Sequence, residues 1–231
     1  LVGTIEASGT VTGATTTATA SGSQSIGGLV GESSGAVNNA SASGTVTATG
    51  QYAGGLIGDH QSSTPVTDVN ASGAVTGTSY TGGLIGRGQA DVINASANGD
   101  VTSTSGDRVG GLIGNHNPNQ AATIRNVSAS GNVSGSGNRV GGLVGTSESG
   151  NQITVSNVHA TGDVATTNTG TYAYAGGLFG RLRHATDVTD VSATGDVNAS
   201  STPGNGRRVG GLAGELHHDS ANYILTNASA N

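Results

Sequence analysis

The 231-residue chain has no cysteine, no methionine, no tryptophan and no lysine. Without cysteine there can be no disulfide framework and no thiolate metal site. Aromatic residues make up 3% of the chain, so large rings cannot fill its interior and any core must be a narrow aliphatic one. No run approaches the roughly 18 consecutive apolar residues of a membrane-spanning helix, and no transmembrane segment is expected. All eight basic residues are arginine and the formal net charge is −6, so a nucleic-acid backbone, which is held by clustered cations, is not an expected partner. Arginine without lysine, excess acid and the lack of cysteine suit a secreted protein of a salt-loving prokaryote, although a GC-rich genome would also favour arginine.

What the chain has is glycine, 42 residues of it, much of it in a phrase that recurs seven times. It reads GGLVG at Gly27, GGLIG at Gly54, Gly82 and Gly110, GGLVG at Gly141, GGLFG at Gly176 and GGLAG at Gly210. The central leucines Leu29, Leu56, Leu84, Leu112, Leu143, Leu178 and Leu212 are 27, 28, 28, 31, 35 and 34 residues apart. That is the period of a solenoid coil with loops of varying length. A second phrase, V-x-[ND]-[AV]-x-A-[STN]-G-x-V, alternates with the first at 37–46, 66–75, 92–101, 124–133, 155–164 and 188–197. Partial copies are read at 2–11 and 225–231. Because the repeat runs from end to end, residues 1–231 are expected to form one all-β repeat solenoid of about seven coils. Ends of like register predict neighbouring coils or subunits stacked head to tail as partners.

The segments are short, rich in Val and Thr and bounded by Gly, Asn and Ser, which is strand chemistry. In 40–46, Ala40, Ala42, Gly44 and Val46 share one parity and are expected to point inward, with Ser and Thr outward. Val37 breaks that parity, and a corner near Asn39 restores it. The corner accounts for the column Asn39, Asp68, Asn94, Asn126, Asn157, Asp190 and Asn227, because Asn and Asp tolerate left-handed backbone. Stacked one per coil, these side chains predict an amide ladder. The pentapeptide reads as a strand that is apolar or bare glycine on both faces, so either another layer of the chain covers it, which close approach at glycine favours, or it offers an apolar stripe to a partner.

These phrases resemble the GLUG-motif repeat, in which a GGLVG pentapeptide alternates with an N-x-x-A-T-G-type segment. The matches include NVHATG at 157–162 and DVSATG at 190–195. The resemblance implies a β-solenoid segment of a large exported or surface-anchored prokaryotic protein, such as adhesin-like or haemagglutinin-like proteins and some secreted peptidases. It implies no catalytic role for the repeat. Where the family often places an aromatic before the Ala, this chain has Ser41, Ser96, Ser128, His159 and Ser192, which removes a sugar-stacking ladder from that face.

Five sets of residues are candidates for chemistry. Outward Thr47, Thr49, Thr76, Thr78, Thr102 and Thr104 form a T-x-T array of the kind that matches an ice surface, although threonine is also a common exposed strand residue. Tyr52, Tyr80, Arg108, Arg139, Tyr174 and Arg208 stand before successive pentapeptides and offer a stacking stripe for a glycan or protein. Histidines are expected to cluster in the loop after the pentapeptide, at His60, His116, His184, His217 and His218, and of these His184, His217 and His218 are a weak metal set beside Glu215 and Asp219. Asp100, Asp163 and Asp196 share one position, but no companion base or nucleophile recurs with them, so neither a cofactor nor an enzymatic reaction is expected. Of the Asn-x-Ser sequons, Asn132 and Asn198 lie nearest exposed turns and are the candidate glycosylation sites. The expectation is a non-enzymatic structural or adhesive module at the cell surface or outside the cell, with a cell-surface or glycan target.

Overall fold

The computed structural model describes residues 2–148, 150–167, 172–200, 206–217 and 224–231. Every strand pairing among them is parallel and joins one coil to the next, and no helix occurs among the described residues. Each complete coil has four short strands. In the third coil these are Ile57–His60, Val66–Ala71, Val75–Gly77 and Tyr80–Gly82, which belong in turn to sheets A, B, C and D. The fold is thus an all-β solenoid of about seven turns.

The cross-section has four layers in the order B, A, D, C. Sheets A and B enclose the main core, a stack of Leu, Ile, Val and Ala that includes Leu56, Ile57, Val66, Val69 and Ala71 in this coil. Sheets C and D enclose a smaller one, with Val46, Ala48, Ala53 and Val75 early in the chain and Val101, Val109, Val133, Val140 and Val164 later. Six of the seven phrase leucines are buried in the main core, and Leu212 packs against it partly exposed.

The pentapeptide is a corner and not a strand. The sheet D strand ends on its first glycine, two residues turn the chain, and the sheet A strand begins on its fourth residue, as in Tyr80–Gly82 and Ile85–Gly88. The expected covering layer is present, and the phrase supplies it by folding its two halves onto each other. Glycine permits the approach: a Cβ on Gly86 would stand 2.8 Å from the Ala53 nitrogen of sheet D. At the turn a Cβ on Gly83 would meet the Gly111 carbonyl at 2.1 Å and the Ala97 methyl at 3.0 Å. Glycine and alanine therefore meet where the two cores join, and nothing larger fits.

The reading of 2–11 as a first copy of the second phrase is corrected by the register. Val2 pairs with Val30 in sheet A, while Val11 pairs with Val37 in sheet B and Ala20 with Val46 in sheet C. The first copy is therefore 11–20, and Gly13, at φ +68°, stands where the later coils have Asn or Asp. The first described strand lies in sheet A and the last in sheet B, so they are not equivalent edges.

Connection lengths divide the corners into two kinds. Every D-to-A turn has two residues and every B-to-C turn three, as at 55–56 and 43–45. The A-to-B and C-to-D connections vary, from the single His184 between Arg183 and Ala185 to five residues, as at 61–65 and 117–121. The spread in repeat length lies in those connections and in the strands beside them, since the sheet B strands of later coils lengthen from six residues to nine.

Candidate functional site

The Tyr and Arg column lies in register along sheet D, from Tyr52 through Tyr80, Arg108, Arg139 and Tyr174 to Arg208. Sheet A folds back beneath it and presents Glu32, Asp59, Arg87, Asn115, Thr146, Arg181 and Glu215, each immediately after a pentapeptide. The two columns interlock. Arg87 grips buried Asp59 with two nitrogens at 2.6 and 2.7 Å, donates to the Tyr52 hydroxyl at 3.1 Å and lies 4.5 Å from the Tyr52 ring centre. The Tyr52 and Tyr80 rings are 5.1 Å apart, and Arg108 covers Tyr80 at 4.9 Å. Glu148, from an A-to-B corner, receives Arg108 at 2.9 Å and Arg139 and Arg181 at 3.2 Å each. Glu215 then pairs with Arg181 and Arg208, both of which also approach the Tyr174 ring.

The stripe is thus a self-paired network running along the axis. Burial opposes ionisation of Glu148, but the Arg108 hydrogen bond and the charges of Arg139, Arg108 and Arg181 outweigh it and hold the carboxyl below its usual range. Burial raises the Tyr52 phenol, against the charge of Arg87. Reasoning from sequence found the sheet D column and missed its partners. The signal was available, because the residue after the pentapeptide is charged in five of the seven copies: Glu32, Asp59, Arg87, Arg181 and Glu215.

Thr47, Thr76 and Thr102 pair in sequence on the outer face of sheet C, and Ser134 continues the row. The second threonine of each motif is turned to its own structure. Thr49 and Thr104 donate to the Gly22 and Gly77 carbonyls at 3.3 Å, and Thr78 donates to that of Gly50.

On sheet B, Asn39, Asp68, Asn94, Asn126, Asn157, Asp190 and Asn227 all have φ between +48° and +55°. Each of four amides donates to the residue one coil earlier: Asn94 to Asp68 at 2.9 Å, Asn126 to Asn94 and Asn157 to Asn126 at 3.0 Å, and Asn227 to Asp190 at 2.8 Å. At the B-to-C corner the side-chain oxygens of Asp100, Asn132 and Asp163 accept the backbone N–H of Asn132, Asp163 and Asp196 at 2.8 to 3.0 Å. These side-chain oxygens cap the next coil's backbone. Asn132 and Asn198 are both exposed, and Asn132 is part of that capping column.

The histidines do not share one place. His60 and His116 lie on sheet A strands and are fully buried, which corrects their placement in the loop after the pentapeptide. His184 turns the chain at φ +56°, and its N–H bonds the His217 carbonyl, so the two backbones are adjacent. His218 and Asp219 lie outside the described residues, and among the described ones no group of three or more His, Asp or Glu is arranged to hold a metal. No helix among them is long and apolar enough to cross a membrane.

Parallel sheets joined coil to coil, stacked side-chain columns and fixed corners define a β-solenoid repeat protein. Residues 77–102 and 105–134 match the family described as the GLUG motif, which supports a GLUG-motif repeat family for this solenoid. Over 179 residues, 77% of the chain, it is 67% identical to Halomucin of Haloquadratum walsbyi, and the match covers 2% of that protein's length. No solved structure matches the chain.

Proposed function

We propose that this solenoid is a non-enzymatic structural and adhesive module of an extracellular surface protein or fibre. One observation carries the reading: the recurrent polar columns bond along the axis, coil to coil, and do not converge on a cleft. Asn126 reaches Asn94, Asp163 reaches Asp196, and Glu148 gathers arginines from three strands. Such columns stiffen a rod, and among the described residues they pair no base and nucleophile facing a substrate. The GLUG solenoid and the likeness to Halomucin fit a structural surface module.

The test is an assay for hydrolase and lyase activity on a panel of polysaccharides, run beside a cell-surface binding assay. Binding without turnover is expected. Robust turnover abolished by Asp163→Asn or Asp196→Asn would make the chain an enzyme.

A further inference from the structure

One inward column of sheet A departs from the aliphatic pattern of the main core. In register it runs Ile5, Ser33, His60, Gly88, His116, Ser147, Leu182, Leu216. Its ends are apolar, and its middle places two imidazoles two coils apart with a glycine between them. Both histidines have zero exposure.

Each ring is bonded on one side only. His60 Nε2 lies 2.9 Å from the Thr64 carbonyl, closing the loop 61–65, and His116 Nε2 lies 2.9 Å from the Ala90 carbonyl, tying its coil to the turn of the coil before. A carbonyl accepts, so Nε2 carries the proton in both rings and Nδ1 is the bare nitrogen. Neither Nδ1 has a partner among the described residues, and neither does buried Ser147 Oγ.

Protonation would therefore add a charge and a second N–H donor that no described residue accepts in this arrangement. The charged groups nearby are already engaged. Asp59, beside His60, is held by Arg87 and Gln61, and Asp91, near His116, accepts the Thr123 N–H. Tyr52 and Tyr80, on the sheet D layer behind, stack with Arg87 and Arg108. The sheet B residues of this core, among them Val66, Val69, Val92, Ala95, Ile124 and Val127, are apolar. Burial accordingly lowers both imidazole pKa values, against the carbonyl hydrogen bonds and the Asp59 and Asp91 charges.

We infer that His60 and His116 are acid-sensitive latches on the A-to-B corners, which hold while the rings are neutral and open to water when the rings take a proton. Because the folded pKa values lie below the unfolded one, both latches are fully effective above about pH 6.5. Their contribution is lost as pH falls from there through the folded values. Each histidine should raise the unfolding constant by up to about tenfold per pH unit in that window, and the two together by up to about a hundredfold.

The experiment is amide hydrogen exchange, corrected for its intrinsic pH dependence, together with urea unfolding between about pH 7.5 and pH 5, a window that brackets free imidazole. The expected result is loss of protection at 61–66 and 89–92 before global unfolding. In the double variant His60→Gln, His116→Gln, which keeps an N–H donor at each site, the pH dependence should flatten. If that variant does not fold, imidazole resonances of the unaltered chain decide the matter. Rings that stay neutral with the proton on Nε2 until the corners open support the latch. Rings that titrate near pH 6.5 in the intact fold, or corner exchange independent of pH, overturn it.

Discussion

The amide ladder has a direction, because each donor reaches toward the preceding coil. Aspartate can accept in such a ladder but cannot donate, so Asp68 offers nothing to Asn39 and Asp190 nothing to Asn157. At the second break Asn157 Oδ1 instead lies 3.0 Å from His159 Nε2. Asp68→Asn and Asp190→Asn should each mend one break without disturbing the positive φ, raising stability by about 1 kcal/mol, as read from the urea midpoint. Asn126→Val should lower it by about 2 kcal/mol, because a branched side chain strains left-handed backbone and two ladder bonds disappear. This column was legible in the sequence, since Asn and Asp recur where the inward parity of Val37 and Ala40 fails. Gly13 was not legible, because a glycine in a chain with so many gives no sign that it belongs to the same column.

At the scale of elements, strands of three or four residues hold their places through the corners that join them. The pentapeptide misled because its alternation was read as one strand, whereas Gly83 and Leu84 are a turn between two. Glycine on both parities is the mark of two backbones in contact, which a periodicity argument does not separate from a strand buried on both faces. Gly83→Ala is the direct test of that contact. Its methyl has no room against the Gly111 carbonyl and the Ala97 methyl, and the loss should be about 3 kcal/mol or more, measured by thermal or urea unfolding. Ala97→Gly in the same chain should recover only part of it, because the clash with the carbonyl persists.

For the whole molecule, acid and salt act on different columns. Glu148 titrates below the ordinary carboxyl range in the fold, so its contribution is present above about pH 4.3 and is lost as pH falls through the folded value. Acid unfolding of the Arg108, Arg139 and Arg181 cluster should thus begin well below the histidine window, and Glu148→Gln should remove that lower step. Asp163 and Asp196 occupy successive coils of the capping column, where like charges repel. Raising salt to about 1 M, where the Debye length is about 3 Å, should therefore raise the urea midpoint, and a midpoint unchanged by salt would remove the case for a salt-adapted chain. Coil number and period could be read directly from spacing, but the four-layer section could not, because it depends on which glycines touch across coils. The two kinds of corner also make the rod a graft scaffold. A foreign peptide inserted between Asn119 and Gln120, in an A-to-B connection, should be displayed at the flank with the pitch unchanged and little loss of melting temperature. The same peptide placed within 55–56 should abolish folding, so the molecule can vary what it displays without altering how it is built.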